Sequence, residues 1–112
     1  MKKYFKHYFF ISILLFLSCC TTQLPSIEKQ HITFAQDKWK DVDEIKLQKG
    51  RTLFVSRCSS CHSLPLPSSQ KETEWEKILD HMKHRAKIDK MEIDLILKYI
   101  FTIKAFEVME NK

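Results

Sequence analysis

A chain of 112 residues has room for one small domain. Its formal net charge of +5 is misleading as a guide to partners, because Lys2, Lys3 and Lys6 all precede the apolar run "YFFISILLFLS"; without them the balance is +2. That charge excludes any argument for nucleic-acid binding, and the absence of a catalytic triad, a carboxylate pair and a nucleotide-binding loop points away from an enzyme.

The first expected element is an export signal over residues 1–18, a basic head and an apolar stretch too short to span a membrane. It ends in "LFLSCC", which resembles the lipobox of bacterial lipoproteins, in which a cysteine after a small residue becomes the lipidated first residue. Cys19, preceded by Ser18, is the expected site; Cys20 is the alternative, and disulfide pairing is the competing role. Several acyl chains on one residue make a stable anchor. Neither following residue is the aspartate that signals inner-membrane retention, so the resemblance implies a periplasmic position with the outer membrane preferred. Residues 19–40 then read as a lipid-anchored flexible tether: "TTQLPSIEKQHITFAQDKWK" is polar, mixed in charge and without sustained periodicity. Phe34 and Trp39 at its end are available to pack on the domain edge.

From Asp41 the pattern predicts an all-α domain of three helices over residues 41–112. The first, 41–56, opens with Asp41 as N-cap and Glu44 three residues on, and Val42, Ile45, Leu53 and Phe54 supply its apolar stripe. A proline- and serine-rich loop follows. The second helix, 73–86, opens on a Thr73–Glu76 capping box, and Trp75, Ile78, Leu79, Met82 and Ala86 fall on one face. The third, 89–106, opens on a box of Asp89 and Glu92; Ile96, Tyr99, Ile100 and Ile103 face one way, with Leu95 and Phe106 extending the stripe. Three short helices make a thin core, and domains this small usually carry a staple such as a disulfide, a metal or a bulky prosthetic group.

"GRTLFVSRCSSCHSLP" (residues 50–65) contains a candidate for that staple. Zinc needs four ligands, and a second pair would have to come from His81 and His84. A thioredoxin-like dithiol wants a βαβ setting that this chain lacks, and a plain disulfide leaves the adjacent His62 unexplained. Covalent haem c accounts for all three residues: Cys58 and Cys61 add to the two vinyl groups, and His62 ligates the iron. Zinc and a disulfide remain the alternatives.

The stretch, together with "LILKYI" near the end, resembles the small class I cytochromes c. The resemblance covers about residues 41–106. In that family a glycine, here Gly50, lets the first helix cross the last one closely against an aromatic residue, here Tyr99, while Leu53 and Phe54 match the family's Leu-Phe pair. The resemblance implies three helices wrapped around one haem, with His62 and Met82 as axial ligands and the Pro65 carbonyl supporting the proximal imidazole. Met91, His81, His84 or an open position are the alternatives for the sixth ligand, and Pro67 is the alternative to Pro65. Only 20 positions separate His62 from Met82, fewer than in most of the family, so one haem edge is expected to be exposed. His/Met ligation fills both axial positions, so the resemblance implies a monomeric one-electron carrier between redox protein partners; an open site would imply gas binding, sensing or peroxidase-like chemistry. Glu72, Glu74 and Glu76 read as the acidic first turn of a helix, and Lys83, His84, Arg85 and Lys87 as a solvated basic face or a dock for an acidic partner.

Overall fold

The computed structural model describes residues 24–59 and 63–110. Among these the chain forms four α-helices, α1 (Lys29–Lys38), α2 (Glu44–Cys58), α3 (Glu72–Ala86) and α4 (Lys90–Glu110), with a 3₁₀ turn at Pro67–Ser69 between α2 and α3. No strand occurs among the described residues.

α4 is the organising element. Ile96, Tyr99, Ile100 and Ile103 are all but fully buried, and Phe101 and Thr102 join them, so the helix is wrapped on more than one side through its middle. Its start is fixed by reciprocal bonds: the Asp89 N–H donates to Glu92 Oε2 at 3.0 Å and the Glu92 N–H to Asp89 Oδ1 at 2.8 Å. α2, the 3₁₀ turn, α1 and α3 all pack against it.

The α2–α4 crossing depends on the absence of a side chain at Gly50. A Cβ there would stand 2.2 Å from the Leu95 carbonyl oxygen, 2.8 Å from its carbonyl carbon and 3.1 Å from Tyr99 Cβ. The two backbones therefore touch, a contact no other residue type permits. Phe54, one turn on from Gly50, is buried and meets Tyr99 at 6.1 Å between ring centroids and Trp75 edge-on at 5.8 Å. This aromatic chain joins three helices.

Local details depart from the pattern-based expectations. α2 is capped by Asp43, whose Oδ1 accepts from the Lys46 N–H at 2.8 Å, not by Asp41. Its buried residues are Leu47, Gly50, Leu53 and Phe54, whereas Ile45 is 77 % exposed. Starting the helix at Glu44 turns position 45 to solvent and position 47 to the core. α3 begins at Glu72 with Glu74, not Glu76, bonding back to the Lys71 N–H at 3.2 Å. It ends in a left-handed Lys87 (φ 52°), after which the Ile88 N–H returns to the Lys83 carbonyl at 3.1 Å.

The largest difference lies in the segment expected to be a tether. Residues 29–38 form α1, and the chain before it is fixed as well: Leu24 is buried in the main core, and Arg51 donates from Nε to the Pro25 carbonyl and from Nη2 to the Leu24 carbonyl, each at 3.2 Å. α1 is held through Ala35, which clusters with Val42 and Leu47, and through His31 and Phe34, which lie edge-on to Phe106 at 4.5 and 5.7 Å. His31 Nδ1 also accepts from the Glu28 N–H at 2.9 Å, closing the helix start. Few large apolar side chains carry these contacts, so the segment reads as polar. The flexible-tether expectation therefore does not hold for residues 24–40; residues 19–23, and the expected export signal over 1–18, lie outside the described residues.

Candidate functional site

One apolar cleft lies where the end of α2, the 3₁₀ segment and α3 converge. Phe54, Cys58, Trp75, Leu79, Met82 and Ile88 line it together with Pro65, Ile78 and Ala86. The geometry follows from the sequence: Phe54 and Cys58 are one turn apart on α2, and Trp75, Leu79, Met82 and Ala86 repeat at steps of four and three on α3. Lys87 in the left-handed conformation then turns the chain so that buried Ile88 closes the end of the cleft.

Cys58 occupies the last turn of α2 and is partly buried; burial pushes its thiol above the ordinary value of 9.0, so the group is a protonated thiol at neutral pH. Pro67 stands beside the cleft and not in it. Its carbonyl accepts the Trp75 indole N–H at 2.9 Å, a buried bond that fixes both the ring and the turn. The turn is held from α4 as well, by Glu107 Oε2 accepting from the Ser68 N–H at 3.0 Å and by Lys104 donating to the Gln70 carbonyl. Pro65, two residues before this pinned turn, reaches the cleft wall.

The remaining expected site residues divide sharply. Met82 faces the cleft beside Cys58, whereas Met91 is 77 % exposed at the start of α4 and lines a separate surface hollow with Lys46, Lys49 and Lys90. His81 and His84 are exposed, and no group of three or more His, Cys, Asp or Glu positioned to hold a metal ion occurs among the described residues. Gly50 and Tyr99 meet at the crossing of α2 and α4, one turn before Phe54. Cys19, Cys20, Cys61 and His62 lie outside the described residues. Ile88 was not anticipated, although an apolar residue just after the basic end of a helix is the usual companion of a left-handed cap. Arg51 had no comparable signal, since its partners are backbone carbonyls.

Whether the cleft suits a haem is a question of lining and of size. The lining side chains are hydrocarbon or sulfur apart from the Trp75 indole N–H, which is spent on the Pro67 carbonyl; a thiol and a soft thioether are among them, as a covalently held macrocycle and its iron would need. The open volume is about 40 Å³, on the order of a few water molecules, so seating a macrocycle requires the walls to part. The α3 rim is the side able to do so: Ile78 is 37 % exposed and Met82 and Ala86 are only half-buried, whereas Phe54 and Trp75 are locked in the core. Of the residues that would hold the group, Cys58 and Met82 share this apolar cleft, and the chemistry of its lining suits a haem.

No helix among the described residues is long and apolar enough to cross a membrane. No protein-family model, no curated protein and no solved structure matches this chain.

Proposed function

We propose that this chain is a lipid-anchored mono-haem c-type cytochrome that carries single electrons between redox protein partners on the periplasmic side of a bacterial membrane. The observation that carries this reading is the shared cleft: Cys58, first cysteine of the "CSSCH" motif, opens into the same apolar space as Met82. Cys58 and Cys61 would hold the haem and His62 and Met82 would ligate its iron. When bound, haem c supplies a one-electron Fe(III)/Fe(II) couple whose potential a thioether ligand raises.

The protein's own residues set the conditions for that chemistry. Phe54, Trp75, Leu79 and Ile88 exclude water from the cleft. The Trp75–Pro67 bond stiffens the segment in which the Pro65 carbonyl is proposed to accept from the His62 ring N–H. Pro67 is the poorer candidate for that role, since its carbonyl already has a buried donor. At the end of α3, Lys83, His84, Arg85 and Lys87 lie on the same helix terminus as the cleft, a basic margin where an acidic partner would approach.

The test is the optical spectrum of the protein exported by a host with haem-attachment machinery. The expected result is covalent haem with sharp reduced bands, an oxidised thioether-to-iron charge-transfer band, and no response to carbon monoxide. Met82→Ala should keep the covalent haem, lose the charge-transfer band and gain carbon monoxide binding. Carbon monoxide binding to the native protein would instead mean an open-site haem protein, and a chain without covalent haem would overturn both readings in favour of a zinc or disulfide role.

A further inference from the structure

The described chain begins at a point that is firmly tied down. Leu24 is 6 % exposed in the main core, and its carbonyl and that of Pro25 are gripped by the Arg51 guanidinium at 3.2 Å each. Arg51 adjoins Gly50, so this clasp sits beside the close backbone approach of α2 to α4. The Tyr99 hydroxyl lies 3.5 Å from the Pro25 carbonyl on the same spot. α1 then packs on the head without releasing any free chain.

Cys19, the proposed acylated residue, precedes Leu24 by five positions. Fully extended, five residues span at most about 17 Å. A tether of 22 residues would have reached several times further. We infer that the lipid on Cys19 holds the folded head directly against the bilayer, with the Leu24–Arg51 clasp turned towards the lipid and with no free linker to lift the head away. This rests on the proposed lipid anchor and specifies the surface on which that anchor acts. Arg51 and Cys58 are seven residues apart, two turns of α2 and about 10 Å of rise on nearly the same face, so the cleft belongs to the membrane-proximal part of the head.

The experiment is neutron reflectometry of the purified, acylated full-length protein on a supported bilayer of phosphatidylethanolamine and phosphatidylglycerol, with the intact mass recorded first. The native head should form a layer abutting the headgroups. A variant with a flexible Gly-Ser insert of about twenty residues between Thr22 and Gln23 should stand off by an additional distance of about 25 Å, because that is the root-mean-square span of such a linker. The insert precedes Leu24, the first residue of the described fold, and thermal unfolding of both proteins checks that the head is unchanged. An acylated native protein whose head stands as far out as the insert variant overturns this inference alone. A mass that lacks the acyl groups overturns the proposed anchoring, and this inference with it.

Discussion

Gly50 is the residue on which most of the arrangement turns. The clash a Cβ would make is with the Leu95 backbone, which cannot swing aside as the end of a side chain can. Gly50→Ala is therefore expected to destabilise the fold by about 3 kcal/mol or more, as overpacking at a rigid contact does, despite alanine's better helix propensity. Chemical denaturation measures this; unchanged or raised stability would show that the helices do not cross here. The role of this residue was implied by the family resemblance of its surroundings, and the helical register of "RTLF" after it favoured that over a C-terminal cap. Ile45 and Leu47 were not, since both are apolar and only the true start of the helix decides which one is buried.

Periodicity alone identified α3 and α4, whose apolar residues recur at three and four, and the Asp89–Glu92 box marked the beginning of α4. α1 escaped because its contacts are made by His31, Ala35 and the edge of Phe34, none of which forms a strong apolar stripe. Part of the cleft was legible for the same reason as α3: Trp75, Leu79 and Met82 share a face by spacing. The Pro67 turn beside it was not, because a tryptophan bonding to a carbonyl eight residues back leaves no repeat in the sequence. Removing that donor is informative. Trp75→Phe keeps the ring packing against Phe54 but strands the buried Pro67 carbonyl, and should cost about 1–3 kcal/mol. Hydrogen exchange should locate the loss in residues 63–71 and the start of α3; a change spread evenly over the molecule would argue against a local pin.

Across the whole molecule, an ion-pair network ties the start of α2 to α4. Lys98 Nζ lies 3.0 Å from Asp41 Oδ2 and 2.8 Å from Asp94 Oδ2, with only 12 % of its side chain exposed. Burial by itself would lower the Lys98 pKa, but the bonds to Asp94 and Asp41 outweigh it and the net shift is upward. The hydrogen bond from Lys98 holds the Asp41 carboxyl below its ordinary 3.8. A carboxyl depressed in the folded state binds fewer protons there than in the unfolded chain, so its contribution is present above about pH 3.8 and is lost as pH falls through the folded value. Asp41→Asn should accordingly be less stable than the native protein at neutral pH, with the difference closing in strong acid. Parallel stability curves from pH 7 to pH 2 would mean that the pair does not act this way.

Because α4 is the last described helix in the chain, its position orders the steps of folding during synthesis. Every earlier described element packs on this helix, yet it is made after all of them, so before it is complete Phe54, Trp75 and Leu79 have only one another and their near neighbours to pack on. The core is therefore completed only when Ile96–Ile103 arrives and closes the head in one late step.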